Sequence, residues 1–105
     1  MRLFISQPMR NRTDKEIKEE RREVIKRVTE MLDGMEKLEI IDSFFEGAPY
    51  KAKPLWFLGK SLELLSTADV AYFCKGWYNA RGCRIEYQCA SEYDIGIITD
   101  SEDIL

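Results

Sequence analysis

The sequence predicts an α/β fold: one Rossmann-like, three-layer sandwich over residues 1–105, built on a four-stranded parallel sheet in the flavodoxin-like order 2-1-3-4. Three observations predict it. Short apolar runs alternate with helical segments along the whole chain, giving the order βαβαβαβ. One run, Val70-Ala71-Tyr72-Phe73-Cys74, is apolar without interruption, as a parallel strand buried on both faces must be. The length of 105 residues, with 45% hydrophobic and 33% charged, suits a single globular domain with a modest core.

The elements follow in order. Leu3-Phe4-Ile5 reads as a short buried strand that stops at Ser6, because Pro8 has no N–H to give a central ladder. After the polar loop from Met9 to Arg12, Thr13-Asp14-Lys15-Glu16 fits a capping box, in which a hydroxyl and a carboxylate each satisfy an orphan backbone N–H. Behind it Ile17, Val24, Ile25, Val28, Met31, Leu32 and Met35 recur at helical spacing, predicting a helix over 14–33 that ends near Gly34. Its Lys, Arg and Glu residues form a solvated face. Leu38 to Phe45 reads as the second strand, and residues 46–54, with Gly47, Pro49 and Pro54, as a loop. Leu55, Leu58, Leu62 and Leu65 mark a second helix over 55–67. The third strand is followed by a turn at 75–79, a helix over 80–93 carrying Ile85, Cys89 and Tyr93, a last strand at 96–99 and a polar tail.

Composition removes whole classes of chemistry. With no histidine, Ser-His-Asp and Cys-His catalysis and histidine-bound zinc are excluded within this chain. Cys74, Cys83 and Cys89 are odd in number and lack a C-x-x-C pair, so free thiols in a reducing cytoplasm are expected. A net charge of −3 gives no electrostatic footprint for nucleic acid. No apolar run approaches the ~20 residues of a membrane span. The opening Met-Arg-Leu-Phe-Ile-Ser turns polar too soon for a signal peptide, and neither nucleic acid nor membrane is an expected partner.

In a sheet of order 2-1-3-4 the first and third strands flank the point where the strand order reverses, and ligands bind there, outside the carboxyl ends. The loop from Ser6 to Arg12, the turn from Lys75 to Gly82 and the start of the third helix converge on that place. Gly76 and Gly82 permit a tight turn and close backbone approach, and the helix start offers free N–H donors and a positive dipole end. Glu86, one turn beyond Gly82, lies where that dipole favours the ionised carboxylate a nucleophile needs. Asp69, at a helix-to-strand junction, reads either as a residue capping backbone amides or as an acid facing the cleft beside Glu86. Arg10, Arg12 and Arg81 together suit a phosphate. Trp56, Phe57, Trp77 and Tyr78 are alternatively exposed anchors for a protein partner.

Several segments carry a resemblance. Phe4-Ile5-Ser6-Gln7-Pro8-Met9-Arg10 resembles the opening of a small bacterial and phage-encoded branch beside the nucleoside 2-deoxyribosyltransferases. Leu62-Glu63-Leu64-Leu65-Ser66-Thr67-Ala68-Asp69-Val70 is similar to the segment of that superfamily in which an aspartate follows a leucine-rich helix and opens a strand. Gly76-Trp77 and Arg81-Gly82-Cys83-Arg84-Ile85-Glu86-Tyr87-Gln88-Cys89-Ala90 resemble its glycine-x-x-x-glutamate helix. The resemblance spans nearly the whole chain and is most specific in the second half. It implies cleavage of the N-glycosidic bond of a deoxynucleoside or deoxynucleoside 5′-monophosphate, by hydrolysis or transfer. Glu86 would be the nucleophile and Asp69 the residue moving the proton at the leaving base, as in retaining glycosidases. Ser6, Gln7, Arg10, Gly76, Trp77, Asn79, Arg81 and Gly82 would line the substrate site. The resemblance implies a homo-oligomer and no metal or organic cofactor. Ala80 departs from it, because the enzymes commonly carry Asp or Ser there. A nucleotide or nucleotide-sugar binding module without turnover is the alternative.

Overall fold

The computed structural model describes residues 1–43 and 48–100. Its elements are β1 (Arg2–Ser6), α1 (Asp14–Leu32), β2 (Glu39–Ile40), α2 (Pro54–Leu65), β3 (Val70–Phe73), a 3-10 turn (Trp77–Asn79), α3 (Arg81–Glu92) and β4 (Gly96–Thr99). The four strands form one parallel sheet in the order β2-β1-β3-β4, as the sequence predicts.

Side chains alternate across a strand, and here both faces are covered. Leu3, Ile5, Val70 and Tyr72 meet Val24 and Val28 of α1 on one face. Phe4, Ala71 and Phe73 meet Leu65 of α2 and Ala90 of α3 on the other. The register Leu3↔Val70 through Ser6↔Phe73 brings the carboxyl ends of β1 and β3 level. The reversal of strand order falls between these two central strands.

α1 starts on the capping box read from the sequence: Thr13 Oγ1 accepts from Glu16 N–H at 3.1 Å, and Glu16 Oε1 accepts from Thr13 N–H at 3.1 Å. These bonds to Thr13 hold the Glu16 carboxyl below its ordinary range. The helix ends one residue earlier than expected. Asp33 takes the left-handed conformation (φ 48°, ψ 43°) and its N–H reaches the Thr29 and Glu30 carbonyls; Gly34 follows at φ 74°. Met31 and Met35 are exposed rather than part of the apolar stripe.

β2 is much shorter than the expected strand over 38–45; Phe44 and Phe45 lie outside the described residues. The ladder continues only as far as Ile41 N–H donating to Leu3 O at 2.9 Å. At the next rung the Ser43 hydroxyl donates to Ile5 O at 3.3 Å, and the Arg21 guanidinium donates to that hydroxyl at 3.2 Å. A side chain thus serves the carbonyl that a longer strand would have served with its amide. α2 begins at Pro54, where a missing N–H costs nothing. Leu55, placed on the apolar stripe by spacing, is 75% exposed.

Beyond β4, Asp100 ties the layers together: its Oδ1 accepts from Arg27 of α1 and from the Tyr72 hydroxyl, and its Oδ2 accepts from Lys75 N–H at 2.9 Å. Burial, with Asp100 beside it, pushes the Tyr72 phenol up to about 12. Among the described residues no helix is long and apolar enough to cross a membrane.

The capping box yields a direct prediction. Thr13→Ala lowers the unfolding free energy by about 1 kcal/mol in urea denaturation, whereas Thr13→Ser keeps most of it. Equal stability of all three proteins would show that the helix start is held by other contacts.

Candidate functional site

A cleft of about 740 Å³ opens at the carboxyl ends of β1 and β3. Its floor is the end of β1 and the following loop; one wall is the turn after β3 with the first two turns of α3, and the other is the first half of α2. Of the residues singled out in the sequence, Ser6, Gln7, Arg10, Gly76, Asn79, Arg81, Gly82 and Glu86 line it.

Glu86 is the centre of this arrangement. It is only 7% exposed although it is a carboxylic acid. The even positions of β1 face α2 and α3, so Ser6 projects at Glu86, and its Oγ donates to Oε1 at 2.6 Å. Burial raises the Glu86 pKa, opposed by hydrogen bonds from the hydroxyls of Ser6 and Ser61. Cys83 lies one turn before Glu86 and is also buried; desolvation pushes its thiol up to about 11, so it is a neutral neighbour at ordinary pH. Burial pushes the Cys74 thiol up as well, and all three cysteines are free.

Other lining residues divide by whether their polar atoms are already engaged. Gln7 is buried: its Nε2 donates to Ile17 O at 3.0 Å and to Glu20 Oε1 at 3.0 Å, and its Oε1 accepts from Arg21 at 3.1 Å. Its amide therefore braces the loop. Arg10, on the loop after β1, and Arg81, at the start of α3, are exposed, and Arg84, which the sequence analysis did not single out, joins them on the lining while donating to Tyr78 O at 3.1 Å. Among the described residues, three guanidinium groups against one carboxyl make the cleft receptive to an anion. Ala80 has no side-chain oxygen, so it makes no side-chain cap to the first turn of α3.

Three expectations are corrected. Asp69 does not reach the cleft. It opens β3 at the amino end of the sheet, where its Oδ2 accepts from Arg2 N–H at 2.7 Å. The length of β3, about 13 Å at ~3.3 Å per residue, separates it from the carboxyl end that holds Glu86. The two acids form no dyad, and Asp69 is the backbone cap that the first of its two readings described. Trp77 lies beside the cleft but not on it. Its ring stacks on Tyr87 with centroids 4.3 Å apart and a 12° interplanar angle, and meets Phe73 at 5.6 Å. Arg12 pairs with Glu20 at 2.9 Å instead of joining Arg10.

The contribution of α2 escaped the sequence reading. Pro54, Phe57, Leu58 and Ser61 line the cleft from it. The signal was in the topology: a helix leaving the carboxyl end of β2 must begin at the same end of the sheet as the ligand site. Among the described residues no cluster of His, Cys, Asp or Glu could hold a metal ion.

Comparisons with protein-family models, curated proteins and solved structures find no match to this chain. The fold and the cleft define it as a doubly wound α/β protein with a ligand-sized site at its switch point.

The buried carboxyl makes stability depend on pH in a known sense. The folded pKa of Glu86 is above the unfolded value, so the folded state binds the proton more tightly. Stability contributed by this group is full below the unfolded pKa and is lost as pH rises through the raised folded one. Glu86→Gln is therefore expected to be more stable than wild type at pH 7, by on the order of 1 kcal/mol, and to lose that advantage on acidification between those two values. Urea denaturation at pH 4 and pH 7 checks it; a variant less stable at both values overturns it.

Proposed function

We propose that the cleft binds a deoxynucleoside 5′-monophosphate or related nucleoside and that Glu86 cleaves its N-glycosidic bond. The observation that carries this reading is a buried carboxyl, held by the Ser6 hydroxyl, in a cleft lined by arginines. The resemblance of the Gly76–Ala90 segment to the nucleoside 2-deoxyribosyltransferase superfamily supplies the reaction class. The cleft volume of about 740 Å³ suits a ligand of nucleotide size.

The chemistry uses one carboxylate from this chain. A Glu86 oxygen attacks the anomeric carbon, the bond to the base nitrogen breaks, and the base leaves with that electron pair and takes a proton from water. The resulting glycosyl ester is then resolved by water in hydrolysis or by a second base in transfer. Asp69 has no part in these steps. Arg10, Arg81 and Arg84 and the open start of α3 favour a phosphorylated substrate.

A second reading, binding without turnover, is favoured by a specific observation. Among the described residues Glu86 is the only carboxyl lining the cleft, where retaining glycosidases use a pair about 5 Å apart.

Incubation with a panel of deoxynucleosides and their monophosphates, with release of free base followed by chromatography, separates the two. Catalysis predicts base release that Glu86→Ala lowers at least about a thousandfold. Arg81→Ala is expected to raise KM for the monophosphate about tenfold while kcat holds. Ligand-induced thermal stabilisation without free base establishes the binding module instead. Equal rates for wild type and Glu86→Ala remove the catalytic reading.

A further inference from the structure

Three buried polar side chains meet at the cleft floor: Gln7 on the loop after β1, Ser43 just past β2, and Arg21 in the middle of α1. Gln7 and Ser43 line the cleft, and Arg21 donates to both. Its Nη1 reaches Gln7 Oε1 at 3.1 Å and Ser43 Oγ at 3.2 Å, and its Nη2 reaches Ile41 O at 3.4 Å. We infer that Arg21 is a positioning residue: it pins the loop that carries Arg10, and the end of β2, to α1, and so sets the cleft floor for an anionic ligand. The identity of that ligand as an anion rests on the proposed function; the pinning does not.

The loop needs such a pin because it leaves β1 where the ladder stops, and Pro8 has no N–H with which to extend it. Side chains take over. Gln7 Nε2 donates to Ile17 O and to Glu20 Oε1, each at 3.0 Å. Arg12 Nη1 donates to the same Glu20 oxygen at 2.9 Å and to Pro8 O at 2.8 Å. Between these anchors the chain turns: Arg12 N–H donates to Met9 O at 3.3 Å, and Asn11 is left-handed at φ 62°. Arg10, exposed and on the cleft lining, is carried by that turn. A turn ordered beforehand loses less freedom when a ligand arrives, which favours affinity.

The choice of an arginine follows from where its acceptors lie. They belong to two segments, the loop after β1 and the end of β2, and the planar fork serves them from two nitrogens where a lysine offers one. All three acceptors are neutral. Keeping a cation buried costs desolvation that an apolar side chain of similar size would avoid, so packing alone does not account for this residue. The fork also acts one step further on: the Ser43 hydroxyl that accepts from Arg21 donates to Ile5 O at 3.3 Å, fixing the chain past β2 against β1.

The test compares the full wild-type chain with Arg21→Lys, which keeps the charge and loses the fork. In amide hydrogen exchange, the Arg12 and Ile41 N–H groups, which donate to Met9 O and Leu3 O, are expected to exchange about tenfold faster in the variant while the amides of β3 hold their wild-type rates. In calorimetry, inorganic phosphate is expected to bind about fivefold more weakly to Arg21→Lys than to wild type. In an Arg10→Ala background the same substitution is expected to cost nothing more, because its effect runs through the loop. Unchanged exchange at either amide overturns the inference. So does faster exchange throughout β3, which marks a general loss of stability, and so does a phosphate affinity that is unchanged or that falls equally with and without Arg10. If Arg21→Lys does not fold, Gln7→Met cuts the loop from Arg21 while leaving the bonds to Ser43 and Ile41 O; Arg12 N–H is then expected to exchange faster and Ile41 N–H at its wild-type rate, and equal rates at Arg12 overturn the inference. A wild type that binds no phosphate removes the anion reading of the cleft, and the exchange rates then decide the role of Arg21 by themselves.

Discussion

The parallel ladder between β1 and β3 is the constraint on which the remaining structure hangs. Both strands are central, and both bury their two faces, so neither can be displaced without exposing apolar surface to water. α1 covers one face; α2 and α3 cover the other. That division follows from the strand order, because the chain moves to one side of β1 for β2 and then crosses back for β3. The gap between the diverging connections at the carboxyl ends is the cleft. It is a product of winding, and the residues that line it come from segments far apart in sequence.

The two ends of this sheet carry polar groups for different purposes. At the amino end Arg2 donates to Asp69 through its backbone and to Thr67 and Glu39 through its side chain, so polar atoms satisfy one another. At the carboxyl end Glu86 is held inside the protein by the Ser6 hydroxyl, and arginines line the same cleft. Burying an acid costs stability, and among the described residues lining the cleft the fold bears that cost at one position only. There burial raises the Glu86 pKa, and hydrogen bonding restrains the rise.

Much of this was legible in the sequence because it depends on local pattern. The unbroken apolar run at 70–74 announced a doubly covered strand, and Thr13 and Glu16 announced the start of α1. Glu86 and the glycines before it followed from the strand–turn–helix pattern. The errors have physical sources. The end of β2 is decided by the Ser43 hydroxyl and the Arg21 guanidinium, contacts that periodicity does not encode. Leu55 matched helical spacing, but its turn begins beyond the edge of the core. Ser61 has no chemical signal of its own; only its position on α2 brings it to the cleft. Asp69 was the instructive case. The resemblance suggested a role at the leaving base, yet a residue that opens a parallel strand sits at the amino end, away from the ligand side. Topology alone argued for the capping role.

The alternation of β1 has one more consequence. Ser6 reaches Glu86 because it occupies an even position of a strand whose odd positions belong to α1. Sliding β1 by a single residue against β3 would exchange the two sets: Phe4 would be driven toward α1, and the long amide of Gln7 would be pressed into the space of a hydroxyl. Strand frame and the seating of the buried Glu86 carboxyl are therefore the same variable in this protein, and an insertion or deletion before Ser6 strikes both at once.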